Sequence, residues 1–459
     1  MERLSRLFWP VIVSPKNAVI KNVEAISRSQ KLLAEMGLVK PAHNGTFQLM
    51  PLAQRVFDKC TKLVSRRMSA VGGQQILMPI LTSSEHWKKS GRLDGDITEF
   101  YLLHDRHGKQ FLLSPTHEEA VTALIASISP ISYRQLPLRL FQIGPKFRDE
   151  LKSRFGLIRA KEFIMKDLYT FDRDVQLSLQ TYNEVNAAYD TLFRQLEVPF
   201  VKVEAATGMM GGSVSHEYHY ITPTGEDQLM LCDNCGFAAN VEICNAEICR
   251  RCKSASLQYV RGIEVAHTFV LKDKYSRPLK ATFLQDNGKP EYLVMGCYGI
   301  GISRLVAAAV EVLSTEKELR WPKLLAPFDI CIIDAKQGSK EEEMANKIKN
   351  DFCGSLGKVC SIEEVLIDDR NHLTIGKRLL DAKRMGYPII VIISGKIVDG
   401  TARVELHMPH ASLQIEQSEA LSEIAKYTKA KSKLLNISAL GFNARLNCKY
   451  RVIWMTTCS

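Results

Sequence analysis

The chain has 459 residues, of which 46% are hydrophobic and 24% charged, a formal net charge of +11 and a pI near 9.0. At roughly 100–200 residues per domain that length predicts two to four domains, and no apolar run approaches the roughly 18 residues that span a bilayer, so no membrane segment is expected. Twelve cysteines, several in CxxC pairs, argue against a disulfide scaffold and for reduced thiols with a metal, while the basic balance suits a nucleic-acid partner and a mitochondrial matrix protein equally.

In residues 1–30, Arg3, Arg6, Lys16, Lys21 and Arg28 stand against only Glu2 and Glu24, with Leu4, Leu7, Phe8 and Trp9 among them. This is the pattern of a mitochondrial targeting segment, or of an amphipathic first helix. Leu52, Val56, Phe57, Cys60, Leu63, Val64 and Met68 recur at helical spacing and predict a helix over 52–68 that stops at Gly72 and Gly73. Residues 74–81 follow as a strand interrupted by Pro79, hence an edge or an end, and such an edge beside a long helix offers a self-association surface. Residues 100–103 and 110–113 straddle a hairpin turn. Residues 114–119 then read as a helix start with Thr116 as a cap.

Residues 147–163, FRDELKSRFGLIRAKEF, place Arg148, Glu150, Arg154, Arg159 and Phe163 in a short span between two apolar runs. That predicts two adjacent strands joined by a working loop. Arginines there clamp phosphates with planar forks, Glu150 accepts from an exocyclic amine and Phe163 offers a face to a base. A solvated hairpin tip accounts for the same stretch. Further on, 181–196 is an amphipathic helix and 208–215 a glycine loop before His216 and Glu217. Residues 292–301 run from strand into glycine turn, and 302–313 form a helix apolar nearly all round, with Arg304 its one early charge.

Cys232, Cys235, Cys249 and Cys252 give C-x2-C-x13-C-x2-C, the spacing of a four-thiolate zinc knuckle; four unligated thiols are the alternative. Tryptophan and prolines at 321–327 mark a boundary. Beyond it, strand and helix alternate as βαβαβ over 329–393, a small α/β domain ending near residue 429. Residues 432–459 are basic and irregular.

Taken together, these residues resemble a class II aminoacyl-tRNA synthetase, and within that class a prolyl-tRNA synthetase of the bacterial and mitochondrial type. Three class motifs occur in order: a helix and strand ending at Pro79, the FRDE loop closing at Arg159 and Phe163, and GIGISR ending at Arg304. SPTHEEAV, QLPLRLFQIGPKFRDE, GGSVSHEY and MGCYGIG carry the prolyl assignment. The resemblance implies an α+β catalytic domain, with an antiparallel sheet of six or seven strands flanked by helices, and a smaller α/β anticodon-binding domain. The expected segments are 1–30 for targeting, 31–322 catalytic with 232–252 in place of an editing insertion, 323–431 anticodon-binding, and 432–459 as a tail.

By the same resemblance the reaction is activation of proline by ATP and transfer to the 3′ end of tRNA(Pro). Arg148 and Arg304 are the implied catalytic residues. Arg148, Glu150, Arg159, Phe163 and Arg304 would bind ATP with Mg2+, and Thr116, Glu118, Arg148 and His216 would bind proline. Asp369 and Arg370, in DDR, would read the anticodon, and a homodimer would form through the first motif. A non-catalytic synthetase-like binding protein, or a synthetase for another small amino acid, are the competing readings.

Overall fold

The computed structural model describes residues 1–10, 26–94, 99–128 and 130–437. The parts of the expected leader and tail at 11–25 and 438–459 lie outside the described residues.

A two-residue strand β1 (Glu2–Arg3) opens the chain, followed by helix α1 (Arg28–Glu35), whose N-cap Ser27 side chain accepts from the Gln30 amide. Helix α2 (Pro51–Ala70) has proline at its start, where the missing N–H costs nothing, and buries Leu52, Val56, Phe57, Cys60, Leu63 and Val64. The predicted strand over 74–81 is only β2 (Gln74–Gln75), with Leu81–Ser83 resuming beyond Pro79, which has no N–H to give a ladder. Leu81–Ser83 pairs with the expected hairpin, Leu102–His104 against Gln110–Leu113. Helix α3 (Glu118–Ile128) follows.

The large sheet is then laid down by β3 (Leu138–Phe147), β4 (Glu162–Asp172), β5 (Phe200–Glu204), β6 (Val214–Ile221), β7 (Asp227–Cys232), β8 (Ala238–Asn240), β9 (Leu257–Lys272) and β10 (Val294–Gly301), with helix α4 (Val175–Gln195) after β4 and helix α5 (Ile302–Leu313) after β10. Its order is β6-β5-β8-β7-β9-β10-β4-β3-β2, and β6 pairs β9 as well. The pairings of β3, β4, β10, β9 and β6 with one another are antiparallel, while β5–β8 and β2–β3 are parallel. Nine strands stand where the resemblance implies six or seven, because the short β2 and β8 extend the sheet. An all-round apolar helix has no side to give to water, and from Leu305 to Val310 every residue of α5 is buried.

The second unit comprises β11 (Ile330–Asp334), α6 (Glu342–Leu356), β12 (Val365–Asp368), α7 (Ile375–Met385), β13 (Ile389–Ile393), β14 (Thr401–Met408), β15 (Ala411–Glu416) and α8 (Gln417–Leu435). Strands β12, β11 and β13 are parallel, the expected βαβαβ; β14 and β15 add antiparallel strands. All five residues of β13 are apolar and buried, as a strand covered on both faces requires. Two features differ from expectation. Helix α8 runs past 431 to Leu435, and β1 pairs in parallel with β12 through Glu2–Leu366 and Arg3–Ile367. The expected 1–30 leader is therefore split, with 1–10 against the second unit and Arg28 already in α1. The boundary at 321–327 is no break in packing: Leu319, Leu324 and Phe328 share one apolar cluster with α5 and with Met385, Tyr387 and Ile390.

Candidate active site

Strands β3 and β4 pair from Phe147–Glu162 to Leu138–Phe171, so the charged loop between them opens at the end of the sheet, as the charge pattern predicts. It opens into a cavity of about 360 Å³ lined by Arg148, Glu150 and Phe163, together with Thr116 and Glu118 from the start of α3 and Arg304 from α5. Residues far apart in sequence meet there because β10 lies beside β4 and delivers α5 to the same end.

The Arg148 guanidinium sits 5.3 Å from the centroid of the Phe163 ring. Burial, and then the Arg304 charge, hold its pKa below the ordinary arginine range, although a guanidinium stays protonated at any physiological pH. Arg159 donates from Nε to Glu150 Oε2 at 2.8 Å and from Nη1 to Glu226 Oε2 at 2.6 Å; Arg154 also bonds Glu226. Arg159 thus stands just behind the lining, tied to Glu150. Arg304 donates to the Ile158 carbonyl at 2.7 Å and to Glu264 Oε2 at 3.3 Å.

At the other end, Thr116 Oγ1 donates to Glu118 Oε1 at 2.8 Å, so this hydroxyl orients a carboxylate. Cys297 Sγ donates to the same oxygen at 3.0 Å, and burial pushes its thiol well above the ordinary range, which fits a packed donor and not a nucleophile. The cation that balances Glu118 is Arg92, with Nη1 3.2 Å from Glu118 Oε2 and 3.3 Å from Glu119 Oε2. Nothing in the local pattern of 88–94 announces Arg92; the usable signal was two adjacent carboxylates entering an apolar helix, which need a cation once buried.

His216 is a correction. On β6 it pairs with Thr268, and its Nδ1 lies 2.7 Å from the Tyr182 hydroxyl of α4, so strand alternation turns it away from the cleft. Burial, then Lys202 and His267, lower its pKa to about 4, leaving the ring neutral. The cleft-lining histidine is His267, stacked 3.9 Å from Phe269, with Nδ1 3.2 Å from Glu264 Oε1 and 3.6 Å from Glu217 Oε1. In a regular strand residues 264 and 267 would face opposite ways. Here Tyr218 pairs with Ala266 and His219 with Glu264, so Val265 is the extra residue of a bulge that aims both inward. Burial pushes the Glu264 carboxyl up, but His267 and Arg304 outweigh it and hold it well below the usual range.

Residues 101–313 match the family model of the class II tRNA synthetase core domain (G, H, P, S and T). The chain is 44% identical over 409 residues to "Probable proline--tRNA ligase, mitochondrial" of Homo sapiens, covering 88% of this chain and 86% of that protein. The chain belongs to the proline--tRNA ligases. It is 38% identical over 383 residues to the ligase of the same name in Schizosaccharomyces pombe, covering 82% and 88% of the two. In fold it is similar to the prolyl-tRNA synthetase of Giardia lamblia in complex with prolyl-adenylate, with TM-score 0.73, 17% identity and coverage of 90% and 82%. The enzyme of Cryptosporidium parvum complexed with L-proline and AMP gives TM-score 0.69 at the same identity, covering 89% and 76%.

In this proline--tRNA ligase the DDR residues lie at the end of β12, remote in sequence from the cleft. Asp368 is buried and takes three bonds from Arg370, at its backbone N, Nε and Nη2, of 3.2, 2.9 and 2.7 Å. Asp369 accepts from the Ser5 amide at 2.9 Å and its hydroxyl at 2.6 Å, and the Arg370 guanidinium lies 4.9 Å from the Trp9 ring centre. The four predicted cysteines also meet: their Sγ atoms all lie within 4.8 Å of one another.

Proposed function

We propose that this chain activates proline with ATP, giving prolyl-adenylate and pyrophosphate, and then transfers proline to the 3′ end of tRNA(Pro) in the mitochondrial matrix. The observation that carries the reading is the convergence of Thr116 and Glu118, of Arg148, Glu150 and Phe163, and of Arg304 on one cleft from three distant stretches of chain. The relatives named as mitochondrial proline--tRNA ligases support the substrate and the compartment.

Proline brings an ammonium and a carboxylate on a small apolar ring. Glu118, oriented by Thr116, takes the ammonium, and Arg148 draws the carboxylate and the α-phosphate of ATP together. A carboxylate oxygen attacks the α-phosphorus and the bond to the pyrophosphate oxygen breaks, with Arg148 positioned for the charge that builds at phosphorus. No general base is needed, because the carboxylate is already ionised. Glu150 accepts from the adenine amine and Phe163 stacks on the ring, while Arg159 and Arg304 exchange their carboxylate partners for phosphate oxygens. Magnesium, when bound, offsets phosphate charge; Glu217 and Glu264 supply hard oxygens that suit it, beside His267. The four thiols hold a structural zinc ion.

Residues 31–322 form the catalytic domain and 323–431, extended by α8, the anticodon-binding domain, with Asp369 and Arg370 as its anticodon contacts once Ser5 and Trp9, which engage them here, give way. Homodimerisation through the first motif is supported by an apolar side chain left in water within it, Leu77 at 85% exposure. ATP–pyrophosphate exchange across a panel of amino acids tests the reading, with proline expected to stand far above the rest. Arg148→Ala is expected to lose about 2.7–4 kcal/mol of barrier lowering, roughly 10²–10³-fold in rate, and exchange near the wild-type rate would overturn the assignment.

A further inference from the structure

The antiparallel hairpin of β7 and β8 brings a cluster of four thiols together beside a small apolar cluster. Cys232 ends β7, Cys235 sits in the turn, and Cys249 and Cys252 lie in the irregular stretch before β9. The pairs Cys232–Cys252 and Cys235–Cys249 are each 3.6 Å apart, far beyond the ~2.05 Å of a disulfide. A tetrahedral zinc site with bonds of about 2.3 Å has sulfur–sulfur edges of about 3.8 Å, so the thiols stand nearly where that ion requires. Asn234 Nδ2 points at Cys252 Sγ at 3.5 Å, the kind of donor that supports a thiolate. Around them is a small satellite cluster in which Met230, Phe237, Ala239 and Cys244 are buried; Val241, Ile243 and Ala246 join it only half-buried, so within 241–256 the fully buried side chains are cysteines.

What this hairpin delivers is Asn240, the last residue of β8 and 4% exposed. Its Nδ2 donates to Glu217 Oε2 at 3.1 Å, and its Oδ1 accepts from the Glu242 amide at 3.1 Å. Glu217 Oε2 lies 2.8 Å from His219 Nε2, and Glu217 Oε1 faces His267, which bonds Glu264, the partner of Arg304. A polar path therefore runs from Asn240, which the backbone of β8 ties to the cysteine hairpin, to the wall of the cleft, where Glu217, Glu242, Glu264 and His267 line the cavity.

We infer that zinc at the four thiolates acts as a strut, pinning β8 so that Asn240 holds Glu217, and through it the acidic wall facing ATP, in register. Asn240 is a positioning residue: it touches neither reacting group. The inference rests on the proposed ATP site for its kinetic consequence, but not for its structural one. The wild-type enzyme should carry one zinc ion per chain by metal analysis. Cys249→Ser should lose it and raise KM for ATP about tenfold while KM for proline moves less than twofold. Asn240→Ala should keep the zinc and reproduce the same split, with Asn240→Asp failing to rescue because it sets a second carboxylate against Glu217. If Cys249→Ser does not fold, chelation of the wild-type metal replaces it, read by faster amide exchange across 238–242. Zinc-free wild-type protein would overturn the site, and zinc loss without the ATP-specific KM change, or without loss of protection at 238–242, would overturn the strut. A chain that binds zinc and shows the protection change but exchanges no proline would leave the strut standing and overturn the proposed activity.

Discussion

Arg92 and Asp172 show how much rests on single buried charges. The Arg92 guanidinium stacks 4.4 Å from the Trp87 ring centre and serves two carboxylates that are wholly buried. Arg92→Gln strands both of them, and breaking such a pair commonly costs about 3–5 kcal/mol. Urea unfolding is expected to show a loss of that size, together with a raised KM for proline because Glu118 loses its orientation. Asp172, at the end of β4, has one oxygen on Thr181 at 2.8 Å, and burial raises its pKa from 3.8 to about 6. A folded-state pKa above the unfolded value means that the folded chain holds the proton longer. The contribution to stability is therefore full below pH 3.8 and is lost as pH climbs through about 6. Asp172→Asn does not titrate, so its stability relative to wild type should grow between pH 4 and pH 7 by up to about 3 kcal/mol. Parallel denaturation profiles that keep a constant offset over that range would contradict the buried, proton-holding state of this carboxyl.

At the level of elements, the docking of the first ten residues is the least anticipated feature. Composition puts Arg3, Arg6 and the neighbouring apolar residues in a leader or an amphipathic first helix, yet β1 pairs with β12, Leu4 is 5% exposed and Trp9 Nε1 donates to the Met36 carbonyl at 2.7 Å. A Leu→Ala change at a buried site commonly costs about 2–5 kcal/mol. Leu4→Ala is expected near the lower end, measured on the purified full chain, and a loss under about 0.5 kcal/mol would mean that the segment does not pack in solution. The contrast with β3 and β4 explains what a sequence can disclose. There, two apolar runs flank a charged loop, and period and punctuation say strand, loop, strand without any tertiary knowledge. The βαβαβ unit is legible for the same reason. The inward turn of Glu264 and His267 is not, because it depends on the bulge at Val265, and a bulge is fixed by pairing with β6 rather than by local propensity. The outward turn of His216 is hidden for the complementary reason: a motif locates a residue along the chain, while its face is decided by strand parity and by Tyr182 on α4.

On the scale of the molecule, the two units are joined by a polar knot as well as a shared apolar core. Glu364, just before β12, bonds Lys59 and, at 3.3 Å, Arg55, both on α2 of the other unit, and lies 3.6 Å from Lys431 of α8. Lys59 also donates to the Ala326 carbonyl at 2.6 Å, and Lys431 to both oxygens of Asp329 at 2.7 Å. Burial, then the Lys431 charge, lower the Lys59 pKa to about 8, so this lysine depends on Glu364 and Asp329 to stay charged. Glu364→Gln leaves three cations about a single remaining carboxylate, at a cost of about 1.5–3 kcal/mol for the lost charge-assisted bonds. Because the knot sits at the seam, the loss should fall on docking before it falls on either core. Calorimetry is expected to resolve a second, earlier transition in the variant. Exchange depends only on the cleft and should hold near wild type, whereas aminoacylation, under the proposed role of the second unit in gripping the anticodon, also needs the two units held together and should fall. Equal losses in both assays would place the weakness inside the catalytic sheet and not between the units.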